Sequence, residues 1–295
     1  MRARLSVEEL DESPAPHVEL VFDDGVVDED ARCSSQSDRP RCSSAIRERS
    51  ARGTLRLDGV EASQEGVMTT AFMGFAPEAI QFLVDFAANN ERPWFQARKA
   101  DYERLLKEPL EALCADVAGE FEKRGVPLLS DPKRSPFRIY RDVRFAKDKS
   151  PYKTHVAANF PWRGDGADDA STGGGGYFHL QPGEVYVGGG MWHPEPAWLM
   201  AWREAVDRDP SRVRAAIDNR RFVKRFKEVH GDSFKRTPTG YAADHPEAAL
   251  LKLKDVTFGL RLADAEVRSA ELPVTIATAF ADAVPVFRLL ASIGR

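Results

Sequence analysis

Residues 177–190, with the sequence YFHLQPGEVYVGGG, carry the pattern that decides the fold. Tyr177 to Leu180 is a short aromatic and apolar run of the kind that forms an extended strand. Glu184 to Val187 has the same character, and Gln181-Pro182-Gly183 between the two runs is rich in turn-forming residues. The two runs are therefore predicted to pair as an antiparallel β-hairpin.

Extended patterns also precede this hairpin. From Phe137 to Phe145 apolar residues alternate with polar ones, and His155 to Phe160 also looks extended. Farther out in both directions, apolar residues recur at helical spacing. Helices are predicted at Pro77–Asn90, Trp94–Leu105 and Pro109–Gly125, and again near Trp198–Ala205, Val213–Ile217, Phe222–Phe226, Pro246–Leu253 and Ile276–Phe287. The predicted fold class is α+β, with N-terminal helices, a small central and mostly antiparallel sheet, and C-terminal helices.

The first 67 residues differ in composition from the rest of the chain. They are rich in Ser, Asp, Glu and Arg, contain Phe22 as their one aromatic residue, and show no sustained apolar period. Such a segment cannot bury enough apolar surface to offset the entropy of ordering it. We therefore predict a disordered tail at 1–67 and a single globular domain at 68–295. Two interpretations of the tail stay open: Met68 is the natural start and the tail is upstream sequence, or the tail is a regulatory segment.

Composition and charge narrow the class of protein. With 295 residues and 42% hydrophobic residues the chain can bury a core without disulfides, and its three cysteines show no metal-binding spacing. Neither a signal-peptide pattern nor a run of 18 apolar residues is present. We expect a cytoplasmic protein with no membrane partner, no cofactor and no bound metal. The formal net charge of −4 favours no particular partner and leaves the oligomeric state open.

A basic segment in the middle of the chain carries the candidate functional residues. From Lys133 to Lys153 there are eight basic and two acidic residues, a concentrated positive charge. If the first half of this segment is a strand, its period of two places Arg138, Tyr140, Asp142 and Arg144 on one face, where guanidinium groups could clamp a phosphate or carboxylate. The predicted anion-binding residues are Arg138, Arg141, Arg144, Lys147, Lys149 and Lys153. The predicted proton-transfer residues are Asp142, Asp148, Tyr152 and His155.

The same segment resembles a known family signature. Residues 141–154, RDVRFAKDKSPYKT, are similar to the pattern R-D-x-R-F-[SA]-K-D-K-[ST]-P-Y-K-T of the domain of unknown function 2461 family. Further matching pieces are residues 89–95, 188–192 with Pro194, and 244–246. The resemblance covers the chain from about Phe75 onward and none of the tail. It implies no catalytic role, because the family is uncharacterised, but it adds weight to a functional interpretation of the basic segment against a merely solvated strand face.

A glycine run offers a second way to hold an anion. Gly188-Gly189-Gly190 lies between a predicted strand and a helix that is expected to begin near Pro194. Backbone N–H groups in such a position can bind an anion, so Gly189 and Gly190 are further candidate ligand-binding residues. The alternative is a glycine-rich bend or bulge where backbones pack closely. The chain contains no phosphate-binding loop, dinucleotide-binding fingerprint or nucleophile-elbow motif.

Three functions are compatible with these patterns. The leading prediction is a protein that binds a small anionic ligand, such as a phosphorylated molecule, through the basic segment, with or without enzymatic turnover. The second is a nucleic-acid-binding module that also uses the basic, aromatic stretch Arg220 to Lys227. The third is a structural domain with an internal ion-pair network. A concave pocket holding the arginines favours the first, a broad positive face the second, and pairing of every arginine with a carboxylate the third.

The composition break at Met68 generates a testable prediction. A variant that begins at Met68 should unfold at the same temperature as the full chain, because the preceding 67 residues are predicted to add no packed core. Thermal unfolding followed by circular dichroism measures this directly. A melting temperature lower by several degrees in the shortened chain would contradict the prediction.

Overall fold

The structure, a computed structural model, describes residues 71–142, 144, 148–163 and 174–293. Its centre is a four-stranded antiparallel sheet with strand order β1-β2-β3-β4. The strands are β1 Val156–Pro161, β2 Gly175–Gln181, β3 Glu184–Met191 and β4 Val256–Arg261. β2 and β3 form the predicted hairpin, with Gln181 opposite Glu184 at its closed end. Helices lie before and after the sheet in the chain, so the fold class is α+β as predicted.

The helices before the sheet follow local signals in the sequence. They are α1 Pro77–Ala88, α2 Arg92–Ala97, α3 Lys99–Tyr102 and α4 Glu108–Arg124, with a π-helical turn Glu103–Lys107 between the last two. Pro77 occupies the first turn of α1, where its missing N–H leaves no helical bond unmade. α4 ends at Gly125, which takes the left-handed conformation (φ 61°) that a side chain disfavours. The predicted helix Trp94–Leu105 is interrupted at Arg98, whose backbone is not helical.

The helices after the sheet include one long apolar helix. They are α5 Pro196–Arg208, α6 Pro210–Ile217, α7 Arg220–Phe226, α8 Ala248–Leu251, α9 Asp264–Val267 and α10 Leu272–Ser292. α10 contacts α4, α6, α7 and β3, and buries Ile276, Phe280, Phe287 and Leu290 among others. By length and hydropathy alone α10 could cross a bilayer, but 56% of its most apolar window is buried inside the protein. A central core helix has the same composition.

The two faces of the sheet differ in chemistry because side chains alternate along each strand. Phe178 of β2 and Val187 of β3 belong to the main hydrophobic core, which also contains the buried side of α10. Tyr177, His179 and Tyr186 occupy the intervening positions and therefore lie on the opposite face. The sheet thus separates an apolar core from a face of polar rings.

Two glycines let α10 approach the core face of the sheet closely. A Cβ atom on Gly176 would lie 2.8 Å from the ring of Phe280. A Cβ atom on Gly189 would lie 2.8 Å from the ring of Phe287 and 2.6 Å from the backbone oxygen of Gly175. These distances are shorter than van der Waals contact, so the aromatic rings of α10 fill the space that side chains on the strands would need.

Two predictions about the strands are wrong. β4 has no counterpart among the predicted strands, although Val256 and Phe258 alternate there with less apolar residues. The run Gly188-Gly189-Gly190 does not separate a strand from a helix; it lies inside β3 and pairs with β2 on one side and β4 on the other. The alternative interpretation, a place where backbones pack closely, agrees with the structure. Glycine weakens a strand pattern in the sequence, yet here the neighbouring strands supply the pairing that holds it extended.

Two further segments are less regular than predicted. Around Phe137 to Tyr140 the chain makes isolated bridges instead of a continuous strand, and residues 143 and 145–147 lie outside the described residues. The predicted helix Pro246–Leu253 is reduced to the single turn of α8. Before that turn, Nδ1 of His245 accepts a hydrogen bond from the N–H of Glu247 (3.0 Å), which replaces the predicted helix start.

The close packing at Gly189 predicts opposite effects of one substitution at two sites. Gly189→Ala should lower the free energy of unfolding by roughly 1–3 kcal/mol, because the new methyl group meets the Gly175 backbone and the Phe287 ring. Gly119→Ala in α4 should raise it by about 0.5–1 kcal/mol, because no atom lies within 4 Å of the new group and alanine favours the helix. Chemical denaturation of both variants checks the two signs. A Gly189→Ala protein as stable as the parent would show that the packing is looser than described.

Candidate ligand-binding cleft

The basic segment forms an irregular antiparallel extension of the sheet. Its first arm is residues 135–141. The second arm, residues 151–159, runs beside the first and includes the beginning of β1. The N–H of Phe137 donates to the oxygen of Ala157 (2.9 Å), and the N–H of Lys153 donates to the oxygen of Ile139 (2.8 Å). We call residues 135–142, 144 and 148–159 the basic hairpin.

Extra residues in the second arm of the basic hairpin reorient its side chains. Pro136 bridges Ala158, whereas Tyr140 bridges Tyr152, so the register shifts by two residues between these bridges. A bulge of this kind bends the strand and changes the direction of the side chains within it. His155 lies in the bulged stretch and faces the cavity between the basic hairpin and the sheet.

Alternation along the first arm is present, and of its two predicted anion-binding arginines it turns Arg141, and not Arg138, toward the sheet. Arg138 and Tyr140 are exposed, whereas Ile139 is buried. The period of two places Arg141 on the same side as Ile139, toward the sheet. Arg141 therefore lines the cavity, and Arg138 does not.

A cleft of about 340 Å³ lies between the basic hairpin and the polar face of the sheet. We call it the inner cleft. Five of the predicted site residues line it: Arg141, Asp148, Tyr152, Lys153 and His155. The remaining polar lining comes mainly from the β2–β3 hairpin, through His179, Gln181, Glu184 and Tyr186. The fold thus brings the basic segment and the central hairpin together around one cavity.

The sheet side of the inner cleft is a stack of polar rings. His179 and Tyr186 are direct neighbours in β2 and β3, with ring centroids 4.7 Å apart and an interplanar angle of 10°. The ring of His155 lies 4.4 Å from that of His179. The hydroxyl of Tyr177 and Nδ1 of His179 are within hydrogen-bond distance at 3.2 Å. One nitrogen of His179 is therefore occupied within the sheet, and the other is left for a different partner.

Two polar atoms of this stack are buried without a hydrogen-bond partner among the described residues. They are Nε2 of His179 and the hydroxyl of Tyr186, in residues that are 4% and 1% exposed. An unpaired buried polar group destabilises a fold by roughly 1–3 kcal/mol, and such groups are uncommon in native proteins. Both residues line the inner cleft, so a ligand in the cleft could supply the missing partners.

Burial keeps both imidazoles of the inner cleft neutral. It lowers the pKa of His179 to about 3, an effect that the nearby His155 increases and the side chain of Gln181 opposes. Burial also lowers the pKa of His155 to about 4, with further contributions from nearby positive charges. The pKa of the Tyr186 hydroxyl is raised above its ordinary value, chiefly by burial. At neutral pH the stack therefore offers uncharged donors and acceptors.

The charged groups that line the inner cleft balance each other. Arg141 forms an ion pair with Asp148, which also accepts hydrogen bonds from the hydroxyl (2.7 Å) and the N–H (2.9 Å) of Ser150. The bonds from Ser150, and then the one from Arg141, lower the pKa of Asp148 to about 2. Lys153 is buried and also lines the cleft. Glu184, at the start of β3, lines the cleft from the sheet side. Two cations therefore face two carboxylates.

Several predicted site residues lie outside the inner cleft. Arg144 binds Asp142 through Nε (3.1 Å to each carboxylate oxygen) and Nη2 (2.6 Å), and this pairing lowers the pKa of Asp142 to about 2. Neither of these residues nor Arg138 lines the cleft. Lys147 lies outside the described residues. Of the predicted anion-binding residues, Arg141 and Lys153 therefore line the inner cleft.

A second cavity, of about 460 Å³, adjoins the basic hairpin. We call it the outer groove. The predicted ligand residue Lys149 lines it, together with Tyr140, which is 52% exposed. Arg92 and Gln96, one turn apart on α2, also line it. Arg141 lines both cavities, so the two meet at its guanidinium group.

Of the four predicted proton-transfer residues, three line the inner cleft: Asp148, Tyr152 and His155. Asp142 lies outside the inner cleft. The pKa of Asp148 is lowered to about 2, so this carboxylate is ionised at neutral pH. Tyr152 packs in an aromatic cluster, with its ring 4.4 Å from that of Phe95. The imidazole of His155 lines the cleft and is neutral, but its lowered pKa of about 4 makes it a weak proton acceptor at neutral pH.

His179 and Tyr186 line the inner cleft but are not among the residues predicted to bind an anion. The alternation of Tyr177 and His179 with Phe178 along β2 is a signal that these residues face away from the core. Which residues lie opposite them depends on the pairing of β2 with β3 and on the basic hairpin, and neither contact is local in sequence. The signal therefore indicates a face of the sheet but not the cavity that the face lines.

Two other candidate sites are not built by the described residues. In the part of the chain that the structure describes, no group of three or more His, Cys, Asp or Glu side chains is arranged to hold a metal ion. Gly189 and Gly190 line neither the inner cleft nor the outer groove. Their place in the ladder between β2 and β4 leaves them a packing role instead of the predicted anion-binding one.

Comparison with known proteins agrees with the resemblance seen in the sequence. A family described as a conserved hypothetical protein (DUF2461) matches residues 78–288. No curated protein and no solved structure matches the chain. The matched region includes the sheet, the basic hairpin and the residues that line both cavities. The chain therefore belongs to the DUF2461 family of conserved hypothetical proteins.

Proposed function

We propose that this protein binds a small anionic organic molecule in the inner cleft. The observation that carries the proposal is the pair of unpartnered buried groups, Nε2 of His179 and the hydroxyl of Tyr186, in the same cavity as Arg141. A ligand oxygen at these two groups would satisfy both. The planar guanidinium fork of Arg141 suits the charged end of the ligand, because it matches the geometry of carboxylate and phosphate oxygens.

The neutral state of the polar stack suits this role. If the hydroxyl of Tyr177 donates to Nδ1 of His179, the single proton of the neutral ring lies on Nε2, which is then a donor. The hydroxyl of Tyr186 also keeps its proton and can donate. Two donors on neighbouring strands suit the oxygens of a carbonyl, carboxylate or phosphate group. The imidazole of His155 also lines the cleft, but burial lowers its pKa to about 4, so it is a weak base at neutral pH and the arrangement supports binding more than proton transfer.

A nucleic-acid surface has less support than a small-ligand site. Phe222 and Phe226 of α7 are buried and pack on Phe258 (5.1 and 4.8 Å between centroids), so they are not available to stack on bases. Phe258 pairs with Gly189 and shares its side of the sheet, the side that faces α10. The basic hairpin covers residues of the opposite face. The two basic segments therefore do not combine into one continuous positive surface.

A purely structural ion-pair network also has less support. The pairs Arg141–Asp148 and Arg144–Asp142 each include a well-exposed side chain, since Asp148 is 57% and Arg144 is 68% exposed. Exposed ion pairs contribute little to stability, because water already solvates both charges. These pairs orient the side chains of the basic hairpin but do not account for the unpartnered groups behind it.

Tyr186→Phe separates ligand binding from folding. The variant should unfold at the same temperature as the parent or slightly higher, because the buried hydroxyl that it removes has no partner in hydrogen-bond geometry among the described residues. Its affinity for a ligand of the inner cleft should fall about tenfold, the value of one hydrogen bond. A thermal-shift screen of carboxylated and phosphorylated metabolites on the parent finds the ligand, because a compound bound only by the folded state raises the melting temperature.

The matched control is Tyr241→Phe, which removes a tyrosine hydroxyl outside both cavities and should leave ligand binding unchanged. Two results would contradict the proposal. One is a clear loss of stability in Tyr186→Phe, which would show that its hydroxyl already has a partner. The other is a ligand whose stabilising effect is the same in the parent and in Tyr186→Phe.

Substitution of two arginines of one arm tests which of them binds the anion. Arg141→Met keeps much of the apolar stem and should change stability by less than about 1 kcal/mol, since its ion pair is exposed on the Asp148 side. It should weaken ligand binding by about tenfold or more, because it removes a charge-assisted contact. Arg138→Met removes the same charge outside the cleft and should leave both properties unchanged. Isothermal titration calorimetry measures the affinities. An equal loss of affinity in both variants would contradict a specific role of Arg141, because the loss would then follow from the change in net charge alone.

A further inference from the structure

The outer groove concentrates positive charge. Arg92 from α2, Arg141 from the first arm of the basic hairpin and Lys149 from the residues between its arms all line it, and Gln96 adds a polar amide. None of the described residues that line the groove is acidic. The inner cleft, in contrast, combines two cations with two carboxylates. A doubly charged anion is therefore stabilised more strongly in the outer groove than in the inner cleft.

One extended segment forms the boundary between the two cavities. Asp148 and Ser150 line the inner cleft, whereas Lys149 and Pro151 line the outer groove, as the alternation of an extended chain requires. Arg141 lines both cavities and contacts Asp148 through Nη1. A guanidinium group carries five N–H donors, so the same side chain can hold Asp148 and an anion in the groove.

We propose that the ligand is a phosphate monoester whose phosphate group binds in the outer groove. Arg92, Arg141 and Lys149 bind the phosphate oxygens, and the uncharged polar body of the ester enters the inner cleft to meet His179 and Tyr186. This inference rests on the proposed function and names the class of ligand. It excludes a dicarboxylate as the natural ligand, because the second acidic group would face Asp148 and Glu184.

The number and origin of the cations favour phosphate over carboxylate in the groove. Arg92, Arg141 and Lys149 belong to three different segments of the chain, so they can approach an anion from different directions. A phosphate monoester carries a charge of about −1.5 to −2 at neutral pH and three acceptor oxygens. A carboxylate has one charge and two oxygens, and it would use fewer of these contacts.

Inorganic phosphate tests the outer groove by itself. Added to the full chain at neutral pH and constant ionic strength, phosphate should raise the melting temperature more than acetate does. Arg92→Met and Lys149→Gln should each weaken phosphate affinity about tenfold, because each removes a charge-assisted contact. Arg138→Met, which removes a charge outside both cavities, should leave phosphate affinity unchanged. Unchanged affinity in both Arg92→Met and Lys149→Gln would overturn the inference, and so would an equal loss in Arg138→Met.

Phosphate esters test whether one ligand occupies both cavities. A panel of sugar phosphates and nucleoside monophosphates is compared with inorganic phosphate and with the corresponding alcohols on the parent chain. At least one ester should bind about tenfold more tightly than inorganic phosphate, and Tyr186→Phe should remove that gain. If no ester binds more tightly than phosphate, or if the gain survives in Tyr186→Phe, the two-part ligand is overturned.

Different experimental results would contradict the phosphate assignment and the proposed function. If carboxylated compounds bind in a manner sensitive to Tyr186→Phe, while Arg92→Met and Lys149→Gln change no affinity, the inner cleft stands as a ligand site and the phosphate assignment falls. If Tyr186→Phe and Arg141→Met change the affinity of no compound, the proposed function itself falls.

Discussion

The packing of two phenylalanine rings of α10 onto bare backbone in the sheet is the constraint on which the rest of the structure depends. Phe280 and Phe287 occupy the space where Gly176 and Gly189 would carry side chains. This contact fixes which face of β2 and β3 meets the helix. Because the side-chain period of a strand is two, it also fixes the opposite face, and a slip of one residue would exchange the two. His179 and Tyr186 reach the inner cleft because Phe178 and Val187 reach the core.

The polar face of the sheet is retained at a cost in stability. Two polar atoms there are buried with no hydrogen-bond partner among the described residues, and two imidazoles are held neutral by burial. Both histidines have folded-state pKa values below the ordinary value of about 6.5. As the pH falls below that value, the unfolded chain binds protons that the folded chain does not, so this burial removes stability between about pH 6.5 and the folded values near 4 and 3. Departures from good packing and pairing are expected at functional sites, where a ligand supplies what the fold lacks.

Much of the architecture follows from local signals, whereas the site depends on contacts distant in sequence. Pro77 and Gly125 mark helix ends because their backbone preferences act within one turn, and the central hairpin follows from its own turn residues. β4 escapes prediction because its pairing partner, β3, is far away along the chain. The basic segment was identified from its charge alone, but the choice between Arg138 and Arg141 required the side of the arm that faces the sheet. His179 enters the site only through the pairing of strands and the position of the basic hairpin.

The second half of the family signature, residues 148–154, lines the two cavities. Every residue from 148 to 155 lines the inner cleft, the outer groove or both; neighbours alternate between the two from Asp148 to Pro151, Tyr152 lines both, and residues 153–155 line the inner cleft. A merely solvated strand face would send every second side chain into water and require no particular residue there. Here Ser150 fixes the carboxylate of Asp148, and Asp148 in turn holds Arg141 where the two cavities meet. The acidic residue of this segment thus orients a cation, which explains why a carboxylate belongs in a site proposed to bind an anion.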